Sequence, residues 1–371
     1  NLINFFWFYN IILLVIRGIL NQTKTILRLV HHYFCAKITK PKKLSKPTEN
    51  VYLFHHCLDE KIYFQDNTLT CKYFTILPNW LKKKGFKVFG LPWFFNNKAS
   101  IDSYRKLRNS DCFIPEDWIN IFDYFTAFSN SIKSIKTLNN KIIFPGVKVD
   151  QLILREKILH LSEPSIFFWR YIPALKKWCE KLKSITIYDQ YENMMFEHPL
   201  RYIVKKLPIK STSVGFYHSL VSKEFMPYHY LNDEWKSQMK PDYIACIGSF
   251  SKNLLLKQGV PEKKIILGAA LRQSNSLGKE IEKKPSRQIL ILLSLITEAS
   301  AEILLKMHSI NSFLVNELKL KIKVKAHPMM KTETILKKIN WNKLPEGWEW
   351  ANKDLDDELD ESYCTISMFT A

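Results

Sequence analysis

The feature that most limits the fold of this chain is a repeated alternation of short apolar runs with stretches of helical period, broken once by a polar segment. Val51–Phe54 reads as a strand. Tyr73–Lys84 has a period near 3.6 and closes at Gly85, and Phe86–Leu91 reads as a second strand ending at Pro92. Strand, helix and strand in that order are the signature of a parallel sheet. Helical patterns follow at Asp117–Ser129 and Ile166–Leu182. Strands recur at Ser184–Tyr188, Thr212–Tyr217 and Tyr243–Ile247, the last leading into a helix that ends at Gly259.

The polar stretch Ala270–Arg287 separates this block from a second alternation. It comprises a strand Gln288–Leu295, a helix Ala299–Leu314, a strand Leu320–Ala326 and a helix from Pro328. A short strand Trp348–Ala351, an acidic helix Asp354–Glu361 and a strand Tyr363–Ser367 complete it. The chain is therefore expected to be α/β, with two Rossmann-like domains facing a cleft. The expected boundaries are 1–47 for an N-terminal hydrophobic and amphipathic segment with a basic linker, 48–270 for the first domain, 271–287 for a linker and 288–371 for the second domain. The chain stops at Ala371, where a helix after the last strand should begin, so the second domain reads as truncated; the opening Asn in place of Met reads as a clipped start. Ile366 and Phe369 would then lack a cover.

Residues Leu2–Ile16 form an apolar, aromatic-rich run that stops at Arg17. It is shorter than the ~20 residues a spanning helix needs, and no small-residue cleavage site follows it. Ile19–Phe34 is amphipathic, and Lys37–Glu49, rich in lysine with prolines, reads as a linker. The pattern suits a packing helix, an interfacial helix on anionic lipid or a true span, in that order.

The formal charge of +20 raises the question of nucleic acid, but Lys outnumbers Arg about 46 to 9 and is spread along the whole chain. Readers of bases and phosphates favour Arg, whose planar fork bonds bidentately. A diffuse lysine excess instead suits anionic partners such as nucleotides or lipid headgroups, with no nucleic acid. Seven scattered cysteines without CxxC spacing fit a reducing, cytoplasmic setting and give no metal signature. Only ten glycines occur, in neither a GxGxxG nor a GxxxxGK[ST] pattern, which removes the dinucleotide-binding and P-loop classes. No resident cofactor or metal is expected.

Four places carry candidate chemistry. His327 follows an expected strand and precedes Pro328, which suits the first position of a helix. Lys325-Ala326-His327-Pro328 thus sits where parallel sheets bind ligands and helix N-termini attract phosphate; a plain loop histidine is the alternative. Ser367-Met368-Phe369-Thr370-Ala371 ends another strand, where Ser367 and Thr370 could join a phosphate cradle or merely cap a helix. Glu192 in Tyr191-Glu192-Asn193-Met194-Met195-Phe196-Glu197 follows a strand of the first domain and could serve as general base. A helix-start acid is the alternative, and suits Glu197 better. In Gly215-Phe216-Tyr217-His218-Ser219, Gly215 permits close backbone approach, and His218 with Ser219 would line the same edge, unless His218 is a buried histidine bonded to backbone. Two patterns are decoys. Asp354-Leu355-Asp356 matches the DxD of metal-dependent transferases but lies in an acid run read as a solvated helix face. The pairs His31-His32 and His55-His56 lack partners at metal-ligand spacing.

Taken in order, Tyr-Glu-Asn…Phe-Glu (191–197), Gly-Phe-Tyr-His-Ser (215–219), Pro-Asp-Tyr-Ile-Ala (241–245), His-Pro (327–328) and Ser-x-x-Thr-Ala (367–371) resemble a bacterial family of surface carbohydrate biosynthesis proteins. That family has GT-B character and is similar to Kdo- and sialyltransferase-like enzymes. The likeness runs from about Val51 to the end. Met194 departs from the family's polar residue after Asn193, and Phe196 stands where Trp is usual. The resemblance implies a metal-independent GT-B glycosyltransferase that moves a sugar, Kdo or another acidic one, from a CMP-linked donor to a bacterial polysaccharide or lipopolysaccharide acceptor. Its site would place Glu192 and His218 in catalysis, and Asn193, Glu197 and Ser219 on the acceptor side. Lys325, His327, Pro328, Ser367 and Thr370 would hold the donor phosphate or nucleotide. The expected partners are a nucleotide-sugar, a glycan or glycolipid acceptor and the inner face of the plasma membrane. A glycerophosphotransferase-like polymerase and a non-catalytic membrane-associated assembly protein are the alternatives.

Overall fold

The computed structural model describes residues 2–42, 44, 46–58, 73–94, 99–136, 165–193, 196–218, 235, 237–271, 286–327 and 330–368. Pro328, Thr370, Ser219, Met194 and Phe369 lie outside the described residues, as does most of the segment 271–287. The chain divides into two compact units, Asn1–Asn275 and Ser276–Ala371.

In the first unit the elements run α1 (Leu2–Thr39), β1 (Asn50–Leu58), α2 (Leu77–Lys83), β2 (Lys87–Phe94), α3 (Ile101–Arg108), α4 (Ile121–Lys136), α5 (Ser165–Trp169), α6 (Tyr171–Trp178) and β3 (Ser184–Gln190). They continue with α7 (His198–Val204), β4 (Lys210–Tyr217), β5 (Tyr243–Ile247), α8 (Gly248–Lys257) and β6 (Ile265–Gly268). The six strands form one sheet in the order β2-β1-β3-β4-β5-β6, and every pairing is parallel. Alternate residues of β1 feed opposite faces. Val51 and Leu53 join a core with Ile185, Ile187, Leu200 and Leu175. Phe54 and Leu58 join another with Phe74, Val88 and Phe216. A sheet buried on both faces explains why these strands read as apolar runs rather than as alternation.

The order turns back between β1 and β3: the chain leaves β1 for β2 on one side, then returns to lay β3 on the other. Such a switch point opens a crevice outside the carboxyl ends of its two strands. β2 runs through Pro92 to Phe94 rather than ending there. It is an edge strand, where a missing N–H is tolerated. Three short elements were not expected from the sequence: α3, α7 and β6.

The N-terminal segment is one helix that continues through Lys37 to Thr39, so the start of the expected linker is helical. Its second half is anchored on the first unit. Leu29 and Ala36 are buried, Arg108 donates to the Ala36 carbonyl at 2.9 Å and Lys40 donates to the Asp117 carbonyl at 3.1 Å. Among the described residues no helix is long and apolar enough to cross a membrane.

The second unit contains β7 (Gln288–Leu292), α9 (Thr297–Ser309), β8 (Lys321–Lys325), α10 (Thr332–Lys338), β9 (Trp348–Trp350), α11 (Leu355–Asp360) and β10 (Cys364–Ser367). Its sheet has the order β10-β7-β8-β9 and is also all parallel. The order again reverses, here between β7 and β10. Ile289, Ile291, Ile322 and Val324 form the core with Leu304 and Trp348, and Ile366 packs against it half-buried. The acid run is not wholly solvated: Glu358 is buried, accepting from Lys323 Nζ and from the Lys353 N–H, both at 3.1 Å. Burial alone would raise its proton affinity, but those donors outweigh burial and hold the carboxyl below its ordinary range.

Candidate functional site

Tyr191, Glu192 and Asn193 form a corner at the carboxyl end of β3, next to the switch point. Tyr191 extends the ladder, its N–H donating to the Phe216 carbonyl at 2.9 Å. Its ring is buried and lies under the Arg201 guanidinium, 4.7 Å from centre to carbon. That position is open only because residue 215 is glycine: a Cβ there would stand 2.6 Å from Tyr191 Cδ2. Asn193 turns the chain with φ of 54°, a left-handed conformation that Asn tolerates better than most residues.

Glu197 fixes this corner from beneath. One carboxylate oxygen accepts the Glu192 N–H at 2.7 Å, and the other accepts the Asn193 N–H at 3.1 Å and a hydrogen bond from Arg201. Arg201 also holds Asp189 through two bonds, of 3.0 Å and 2.7 Å. All three side chains are fully enclosed. Burial pushes the proton affinity of both carboxyls up, with Arg201 opposing it. Glu197, expected on the acceptor side, therefore supports the site and does not face solvent. Asn193, expected there too, has its side-chain oxygen engaged by Lys240 Nζ at 3.0 Å.

What this corner presents outward is Glu192, 39% exposed, with Oε1 3.6 Å from Nε2 of His218 at the end of the neighbouring strand β4. That separation is an ion-pair distance and too long for a hydrogen bond. Partial burial raises the proton affinity of Glu192. His218 is itself almost buried, with the Tyr73 ring edge-on at 4.5 Å. The Pro-Asp motif is a fastener: Asp242 accepts from Ser213 N at 2.8 Å and Ser213 Oγ at 2.9 Å, tying β5 to β4. Asp189, Arg201 and Lys240 were missed in the sequence. Arg201 follows Glu197 by four residues, a helical spacing, and that was the available signal.

In the second unit, Leu292 pairs with both Lys325 and Ser367 across adjacent strands, so the three share one row at the carboxyl edge of the sheet. Ser367 is exposed and His327 half-exposed. The His327 carbonyl accepts from the Met330 N–H at 2.8 Å, and Lys325 Nζ bonds the Lys353 carbonyl. Beside them Ser294 shapes the turn into α9, its Oγ accepting from Ile296 N at 3.0 Å. The first unit thus places Glu192 beside His218 at its strand ends, whereas in the second Ser367 and His327 belong to strand ends on opposite sides of β7. Among the described residues no group of three or more His, Cys, Asp or Glu side chains could hold a metal ion. Of the decoy histidines, His31 is exposed, its Nε2 2.8 Å from the Ala99 carbonyl, and the other three are core residues. His32 accepts or donates at 2.9 Å to Tyr104, and His55 and His56 are buried.

No protein-family model matches the sequence, and no curated protein matches it. Among solved structures, UDP-N-acetylglucosamine 2-epimerase from Rickettsia bellii is similar at 12% identity. It covers 86% of this chain and 74% of its own, with a TM-score of 0.45. The UDP-GlcNAc 2-epimerase of Neisseria meningitidis, bound to UDP-GlcNAc, is 11% identical, covers 86% of this chain and 77% of its own, and has a TM-score of 0.42. The glycotransferase of kitacinnamycin is 9% identical, covering 87% and 76% of the two chains, with a TM-score of 0.37. Substrate does not follow from likeness at this level.

Proposed function

We propose that this chain is a GT-B glycosyltransferase that moves a sugar from a nucleotide donor to a hydroxyl of a glycan or glycolipid, with Glu192 as general base. The observation that carries the reading is the Glu192–His218 pair at a switch-point edge, 3.6 Å apart. A carboxylate whose proton affinity is raised by partial burial is a better base than a solvated one. Glu192 would take the acceptor's hydroxyl proton as that oxygen bonds to the anomeric carbon. The bond from that carbon to the donor phosphate oxygen breaks, and the nucleotide leaves with the electron pair.

His327, Lys325 and Ser367 would bind the donor's phosphate, and hydrogen bonds to its developing charge would supply much of the rate gain. Preference for a CMP-linked acidic sugar rests on the resemblance of the motifs. A thermal-shift screen of the chain against CMP, UDP, GDP and CDP-glycerol tests it, since a ligand that binds the folded state raises the melting temperature by mass action. Stabilisation by CMP supports the reading. Stabilisation by CDP-glycerol alone favours glycerophosphate transfer, and no stabilisation by any of the four favours an assembly protein.

A further inference from the structure

The side of α1 that faces away from the first unit carries a stripe of large apolar side chains. Leu13, Leu20, Leu27 and Phe34 recur every seven residues, with Tyr9, Ile16 and Ile38 beside them, and all are exposed; Leu20 and Leu27 reach 64% and 65%. The opposite side, with Gly18, Thr25, Leu29, His32 and Ala36, is buried. A helix whose inward face is satisfied has no internal use for a second apolar face.

The stripe has a companion. Phe122 and Phe125 of α4 are 73% and 68% exposed. α4 lies against α1, with Tyr124 Oη donating to the Leu29 carbonyl at 3.3 Å and the Tyr33 and Tyr124 rings 6.2 Å apart. Charge identifies the occupant. The sequence has no Asp or Glu before Glu49, whereas Arg17, Lys24 and Arg28 line one flank of the α1 stripe. Carboxylates of the neighbouring elements have partners of their own: Asp102 with Arg105 at 3.7 Å, Asp123 with Lys177 at 2.8 Å, Glu116 with Arg170 at 2.9 Å and Asp117 with Arg108. A second copy of this helix, parallel or antiparallel, would set cation against cation with no acid to answer. An anionic lipid surface offers both the apolar phase and the opposite charge.

We propose that α1 and α4 together form a docking face for an anionic membrane surface, with α1 lying in the interface and the Phe122–Phe125 edge dipping beside it. This does not depend on the sugar-transfer reading, and its test needs no turnover.

The full chain is sedimented with phosphatidylcholine vesicles and with vesicles one-third phosphatidylglycerol, at low and high salt. Binding is expected to the anionic vesicles and to weaken with salt. Leu20→Gln/Leu27→Gln should weaken it by about tenfold or more, and Phe122→Gln/Phe125→Gln should weaken it as well. These side chains are exposed, so the variants keep the wild-type melt, which circular dichroism checks. If one pair does unfold the chain, Arg17→Gln/Lys24→Gln serves instead and should reduce anionic binding alone. No vesicle binding, or equal binding to both compositions, overturns the proposal. So does a stable dimer in ultracentrifugation that ignores vesicles and dissociates in Leu20→Gln/Leu27→Gln.

Discussion

Gly215 leaves the space that the Tyr191 side chain fills: a Cβ there would lie 2.6 Å from Tyr191 Cδ2 and 2.9 Å from Tyr191 Cβ. Two of the three close contacts involve the root of the side chain, Cβ and Cγ at 2.9 Å, which cannot swing aside as a flexible tip would. Gly215→Ala should therefore cost about 1–3 kcal/mol, the usual price of overpacking. Because Tyr191 adjoins Glu192, turnover should fall further than stability does. Urea midpoints and initial rates on the same preparation test this, and a wild-type midpoint would show that Tyr191 has room to move.

Arg201 stands between two buried carboxyls, Asp189 and Glu197. Arg201→Met should destabilise the first unit by about 3–5 kcal/mol, because it leaves buried acids without their counter-charge. Arg201→Lys should rescue little, since a single ammonium cannot reproduce a guanidinium's separate Nε and Nη contacts. Glu197→Gln should cost about 1–3 kcal/mol, as its amide NH2 would face a backbone N–H that now finds an oxygen. Denaturant titrations of the three variants give the ranking.

Three buried histidines each contribute to the pH dependence of the first unit's stability. Burial lowers the pKa of His55 to about 3, with His56 and Arg201 adding to it. Burial likewise takes His32 to about 3 and His56 to about 4, the latter opposed by its bond to the Cys57 carbonyl. Below about pH 6.5 the unfolded chain takes up protons that the folded chain refuses, so stability falls with pH, by ~1.4 kcal/mol per unit for each ring. Glu192 and Glu197, whose proton affinity burial raises, act with the opposite sign. The readout is therefore the slope: between pH 6.5 and 5 it should be shallower in His55→Gln than in the wild type.

His327→Ala should lower nucleotide affinity at least about tenfold, the loss of one hydrogen bond to a charged phosphate, while leaving the melt unchanged. A backbone bond at this position, the carbonyl accepting from Met330 N at 2.8 Å, survives the substitution. Calorimetry with CMP measures it, and equal affinity would remove His327 from the donor site.

The sequence by itself determined the α/β class and the position of most strands, because a strand buried on both faces needs an unbroken apolar run such as Tyr243–Ile247 or Gln288–Leu292. It also put Glu192, His218 and His327 just beyond strand ends and Ser367 at one, since polar residues that close an apolar run mark where the chain leaves the sheet. Only the tertiary structure decided the rest. Strand order, and with it the two switch points, depends on which side of β1 and β7 the returning chain lies, and local residue patterns carry no information on that choice. The division of labour inside Tyr191–Glu197 was equally hidden. Glu192 and Glu197 are the same residue type five positions apart, yet one faces outward beside His218 and the other is sealed under the corner by Arg201. Their difference comes from burial and from His218, which the fold brings in from the end of β4; the one local sign is Arg201, a helical turn beyond Glu197.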